Sequence, residues 1–211
     1  MFTFGEAILW KIFKGRIFGN ERKNVEMPYN PHKAAQTIAF FAIQEGHAIN
    51  ILKVIKLVYL ADRESVRVRG FPIQQEPRVS MPHGPVNSVT LDWVNGSYRD
   101  NGEWSSVLND RSNNRVGLSN ASITTDDLDE LSAREQEILR SVWDEFGNMD
   151  RFDLADWTHD PNNVPEWEGP NGSSLPIPLE RMMTAVGLDR PIERAREQES
   201  LNEAHNVLAS L

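Results

Sequence analysis

From Ile49 to Gly70 the chain is apolar on most sides of a helix. Ile51, Ile55 and Val58 share one face, Leu52 and Tyr59 flank it, and Val54, Leu57 and Ala61 fill much of the remainder. Only a narrow seam of Lys53, Lys56, Arg63 and Arg67 is polar. A helix apolar nearly all round is buried by several neighbours, so this one is expected at the centre of the fold. From Asp62 to Arg69 it turns amphipathic and charged, and Gly70 supplies a stop. Upstream, Asn30-Pro31 reads as an N-cap with proline at the first helical position. That helix should run to Gly46 and bury Ile38, Phe41 and Ala42. The short connection predicts an αα-hairpin between the two.

Beyond Gly70 the chain is proline-rich and has no helical period. Arg78–Met81 is a candidate strand, and His83-Gly84-Pro85-Val86 reads as a turn into a helix with Pro85 near its first position. That helix should bury Val86, Val89, Trp93 and Val94 and end at Asn95-Gly96. Glu103–Leu108 and Arg115–Leu118, separated by the polar run 109–114, are expected to pair as a β-hairpin. Ser132 and Glu135 form a capping box, followed on one face by Ile138, Leu139, Val142, Trp143 and Phe146. Asp150–His159 should be a shorter helix, and 161–178 an irregular loop in which Trp167 anchors packing. Leu179–Val186 reads as a short helix closed by Gly187, and a last helix starts near Asp189 and Pro191, with Leu201, Ala204, Leu208 and Leu211 as a weak stripe.

Residues 1–27 mix Ile8, Leu9, Ile12 and Phe13 with Lys11, Lys14 and Arg16, interrupted by Gly15 and Gly19. They lack the apolar core of a secretory signal. A docking arm, or an extension upstream of a start at Met27, is favoured over a helix lying on a membrane. The implied fold is mainly α (α+β), a compact helical domain around a buried central helix with a small antiparallel β-hairpin. The expected organisation is a basic amphipathic extension over 1–28, a domain over 29–188 and a C-terminal helix over 189–211.

Composition adds boundaries rather than a function. With 211 residues the chain suits one domain of ordinary size. It has no cysteine, which excludes disulfides and thiolate metal sites and fits a reducing, cytoplasmic setting. The net charge of −9 is uneven: residues 1–70 carry eleven Lys/Arg against six Asp/Glu (+5), the remainder eleven against twenty-five (−14). So acidic a second half argues against a nucleic-acid face; it suits a basic protein partner or a solvated surface.

Candidate chemistry is sparse. The histidines His32, His47, His83, His159 and His205 form no metal-type pair along the sequence. His83 and His159, with Asp160, offer an acid/base pair for a hydrolase; alternatively they bond loop backbone. No nucleophile elbow, P-loop or dinucleotide fingerprint is present. The run Asp126, Asp127, Asp129 and Glu130 precedes a helix, whose dipole favours it, and lacks calcium-loop spacing. Asp150, Asp153, Asp156 and Asp160 suit a basic partner or a solvated face. Neither a metal nor a cofactor is indicated.

Ordered over most of the chain are Leu52-Lys53 and Lys56–Asp62, then His83-Gly84-Pro85-Val86, then Leu131-Ser132, Glu135, Ile138-Leu139, Val142 and Phe146-Gly147, then Leu154, Thr158-His159 and Pro165-Glu166-Trp167. In this order they resemble the Panacea domain, the SocA-like antitoxin domain of bacteria and phages, also found in phage-associated GepA-type proteins. Leu91 departs from the pattern, where many members carry an aromatic residue. The resemblance implies a non-enzymatic antitoxin of a toxin–antitoxin system that neutralises a cognate toxin encoded beside it. It also implies an alternative, an adaptor delivering that toxin to a ClpXP-type protease. The motif residues it marks are Lys53, Lys56, Tyr59, Asp62, His83, Gly84, Pro85, Val86, Thr158, His159 and Trp167. These are structural or interface positions, and of them Lys56, Tyr59, His83, Gly84 and Pro85 are expected to hold the fold more than to touch the toxin.

Overall fold

The computed structural model describes residues 29–209, without the side chains of 205, 206, 208 and 209. The expectations for residues 1–28 and for His205, Leu208 and Leu211 lie outside the described residues. Helix α1 (Pro31–Gln44) starts as read, with Asn30 Oδ1 accepting from Lys33 N at 2.9 Å. Gly46 (φ 89°) and His47 (φ 75°) then turn the chain sharply into strand β1 (Ala48–Asn50). Helix α2 (Ile51–Arg69) follows at once, capped by Asn50 Oδ1, which accepts from Leu52 N at 2.9 Å. The connection between the helices is therefore a strand and a cap rather than a bare hairpin loop. Gly70 (φ 84°) ends α2 in the left-handed region, as the sequence implies.

Helix α2 is the centre. Every residue from Lys53 to Asp62 is buried. Its neighbours are α1, strand β3 (Gly84–Asn87), helices α4 (Ala133–Phe146) and α5 (Arg151–Thr158), and α6 (Leu179–Ala185). Fully burying each Leu, Ile or Val contributes about 1.5–3 kcal/mol. The expected polar seam is corrected: Lys53 and Lys56 are buried, because α4, α5 and β3 cover that side as well.

Three further expectations need correction. His83–Val86 does not open a helix; strand β2 (Arg78–Met81) turns back at Pro82-His83 into β3, and helix α3 (Ser88–Val94) starts only afterwards. The β2 backbone supplies pairing partners that a local reading of Pro85 overlooks. The hairpin expected over 103–118 is reduced to a single antiparallel bridge, Leu108 opposite Leu118, with Asn109 N donating to Gly117 O and Ser119 N to Val107 O. Asp100 accepts from Gly102 N, Trp104 N and Ser105 N at 3.0–3.1 Å, which winds the following segment into turns. Strand β4 (Arg115–Gly117) pairs antiparallel with β1 instead, after a tight turn with Asn113 and Asn114 at φ 50° and 59°. Finally, the 161–178 loop contains strand β5 (Leu175–Ile177), which extends the sheet to the order β3-β2-β5. Pro176 is tolerated there because β5 is an edge strand.

Glu135 ties the helices together. It completes the Ser132 capping box and pairs with Lys33 Nζ (2.7 Å) on α1 and Arg69 Nη1 (3.2 Å) on α2. The final helix, α7 (Pro191–Ala209), places Ala195 in a small second core with Tyr59, Val66, Val164, Ile177, Met182 and Met183.

Candidate functional site

The β2–β3 turn gathers most of the motif residues. Gly84 has φ 92°, and its Cα faces the end of α5 so closely that a Cβ would lie 2.6 Å from Thr158 Oγ1. Lys56 reaches up from α2 and donates from Nζ to Pro85 O at 2.9 Å. Thr158 donates to Ala155 O (3.0 Å), and His159, capping α5, bonds the same carbonyl through Nδ1 at 2.7 Å. Trp167 Nε1 donates to Met81 O (3.0 Å), lashing the long loop to β2, and its ring meets that of His159 at 5.6 Å. Val86 is buried beneath the turn. Thus Lys56, His83, Gly84, Pro85, Val86, Thr158, His159 and Trp167 form one cluster.

Burial pushes the Lys56 ammonium pKa down to about 7. Burial, then the charge of Lys56, then His159, hold the His83 pKa below its ordinary value. His83 Nε2 is buried without a hydrogen bond, while Asp156 stands 3.9 Å from His159 on an exposed face. The Thr158 hydroxyl is committed to a backbone carbonyl rather than to a base. Thr158, His83 and His159 are therefore not joined to one another by hydrogen bonds, as a side-chain nucleophile, its base and an orienting group would be. Among the described residues no group of three His, Cys, Asp or Glu is placed to hold a metal.

Tyr59 and Asp62 belong to two adjoining networks. Tyr59 Oη (2.9 Å) and Arg63 Nε (2.8 Å) both donate to Glu166 Oε1, inside the fold. Burial, reinforced by Glu166, raises the Tyr59 pKa well above its usual value. Asp62 accepts from Ile73 N (3.0 Å), Gln74 N (2.8 Å), Asn87 Nδ2 (2.8 Å) and Arg78 Nη2 (3.3 Å), fixing the proline-rich segment on α2. Burial raises its pKa, against the opposing charge of Arg78. Glu76 lies alongside, accepting from Thr90 N (2.7 Å) and Thr90 Oγ1 (2.5 Å), and burial pushes its pKa up to about 7.

Sequence reasoning missed Glu76, Arg78, Asn87 and Thr90. Nothing one-dimensional distinguishes Glu76, between Gln75 and Pro77, from an exposed loop acid. Asp62 did carry a signal, since it follows Val58 and Tyr59 on the buried face of α2.

Lys53 stands apart. Its Nζ donates to Glu45 Oε2 (2.7 Å) and Gly147 O (2.6 Å) and lies 5.1 Å from the centre of a Trp143 ring. It borders a concavity of about 560 Å³ at the N-terminal end of α2, whose other walls are the Asn113-Asn114 turn and the start of α5.

Among the described residues no helix is long and apolar enough to cross a membrane. No curated protein and no solved structure matches the chain. The SocA_Panacea family model, described as antitoxin SocA-like, Panacea domain, matches residues 54–168, a little over half of the chain. The matched span holds the Gly84 cluster and both buried networks, with Lys53 one residue outside it. This chain belongs to the SocA-like antitoxin family that the Panacea domain defines.

Proposed function

We propose that this chain is an antitoxin that neutralises a cognate toxin protein by binding it directly, without catalysis. The family match over residues 54–168 carries the reading. The geometry supports it in a second way. Lys56, Tyr59, Asp62, Gly84 and Trp167 engage backbone or one another inside the fold, so the shared motif acts as a scaffold for a partner-facing surface. His83 and His159 are hydrogen-bonded neither to each other nor to a nucleophile, His159 Nδ1 being held by Ala155 O, and this favours a binding role over hydrolysis. An excess of acidic groups beyond residue 70 favours a protein partner over nucleic acid.

The test is co-expression with the product of the neighbouring open reading frame. Restored growth and a co-purifying complex are expected; toxicity unrelieved by this chain, or the absence of a complex, overturns the proposal. Measuring the half-life of that toxin in the same strains separates the two modes of action. Neutralisation by binding leaves turnover unchanged, whereas an adaptor for a ClpXP-type protease shortens it.

A further inference from the structure

The concavity at the N-terminal end of α2 takes no part in the motif cluster, yet its construction is specific. Its volume, about 560 Å³, lies within the range of true binding pockets. Leu52 is the half-exposed exception on a helix whose next ten residues are buried. It forms floor common to this concavity and to a narrow recess of about 20 Å³ beside Met81, Pro82 and His83. Met149 and Phe152, also half-buried, continue the apolar lining.

The rim has the opposite charge from the chain as a whole. Lys53, Arg111, Arg115 and Arg151 border it against Glu45 and Asp150, a local excess of two positive charges on a chain of net −9. Lys53 is matched by Glu45, Asp150 caps α5, and Arg111 reaches the neutral Asn95 Oδ1 and Asn114 Oδ1. Arg115 is exposed and is steadied by a hydrogen bond to a neutral group, Ala48 O. The first amides of α2 are already bonded to Asn114 O and Asn50 Oδ1, which leaves recognition to these side chains.

We propose that this groove docks an acidic segment of the partner protein, with an apolar side chain seated over Leu52 and carboxylates meeting the arginine rim. The inference rests on the antitoxin reading and adds the partner's chemistry to it. The net negative charge of the chain repels such a segment at long range, so a basic groove also orients the encounter.

The test has two arms. In the first, the isotope-labelled full chain is titrated with the capped peptide Ac-Glu-Leu-Glu-Glu-NH2, with its lysine counterpart and with inorganic phosphate, while backbone amides are followed by NMR. The acidic peptide is expected to shift Leu52, Arg115 and Phe152, and added salt to reverse the shifts. In the second, Arg115→Glu/Arg151→Glu is compared with the charge-matched control Arg134→Glu for association with the co-expressed toxin. Reversal should slow association roughly tenfold and flatten its salt dependence, leaving the control unchanged. If the double variant does not fold, as judged by its melting temperature, Leu52→Gln replaces it.

Unchanged toxin association by the folded variant overturns the groove and leaves the antitoxin reading intact. Failure of the wild-type chain to bind or neutralise the toxin overturns the antitoxin reading. The peptide arm then decides the groove alone, and no shift, or shifts reproduced by phosphate, overturns it.

Discussion

Replacing Gly84 by alanine places one methyl group where the fold has no space. The new Cβ would lie 2.6 Å from Thr158 Oγ1, 3.1 Å from Lys56 Nζ and 3.4 Å from His159 N. The residue also sits at φ 92°, a region L side chains avoid. The backbone part costs about 1–2 kcal/mol. Forcing a methyl into a filled interior adds about 1–3 kcal/mol. Gly84→Ala should therefore lower stability by about 2–5 kcal/mol, and the melting temperature by about 5–15 °C for a chain of this size. Urea unfolding followed by tryptophan fluorescence measures it directly, since Trp157 and Trp167 lie close by.

Thr158→Ala supplies the internal control. By itself it removes a buried hydrogen bond to Ala155 O at a cost of about 1 kcal/mol. In the double variant it also removes the nearest clashing atom, so the two effects should fall short of additivity by about 1–2 kcal/mol. The left-handed backbone cost would remain. A Gly84→Ala variant within about 0.5 kcal/mol of wild type, or strict additivity in the cycle, refutes the steric argument.

The buried Glu76 and Lys56 predict an unusual pH profile. Between pH 4.5 and 7 the native chain retains the Glu76 proton that the unfolded chain has released, so stability falls as pH rises, by about 3 kcal/mol. From 7 to 10.5 the unfolded chain retains the Lys56 proton that the native chain has released, so stability recovers, by about 5 kcal/mol. Urea midpoints should pass through a minimum near neutrality; a broad maximum there rejects the assignment. Glu76→Gln should flatten the acid limb and Lys56→Met the alkaline limb, each measurable in the same titration. Tyr59→Phe leaves Glu166 short of one buried donor and should cost about 1–3 kcal/mol in denaturant unfolding. Ser132→Ala, which removes the cap of α4, should cost about 1 kcal/mol in the same assay; no loss would show that the capping box is dispensable.

Helix boundaries were legible because their signals are local. Asn30-Pro31, Ser132 with Glu135, and the terminating Gly70 act on amides and carbonyls within a few residues of themselves. The strands were less legible, because pairing depends on what lies opposite. Arg115–Gly117 alternates well enough for a strand, but its ladder runs along Ala48–Asn50, and the nearby 103–108 segment meets it only in the bridge of Leu108 with Leu118. Gly84-Pro85 carries a strong turn signal, yet the chain folds back along β2 before any helix begins.

The same division holds for the site. The apolar breadth of α2 already required a buried central helix, and the ordered motif residues already pointed to an antitoxin-type domain. That Lys53 and Lys56 are buried was not legible, since a lysine in an apolar run reads as a solvent-facing seam. Only tertiary packing brings Pro85 O over the Lys56 ammonium and Glu45 with Gly147 O around that of Lys53. Nor does the sequence reveal the basic groove, whose walls come from three distant segments of an acidic chain. Hydrophobic period and capping are set by neighbours along the chain, whereas burial of charge and the shape of a concavity depend on neighbours in space.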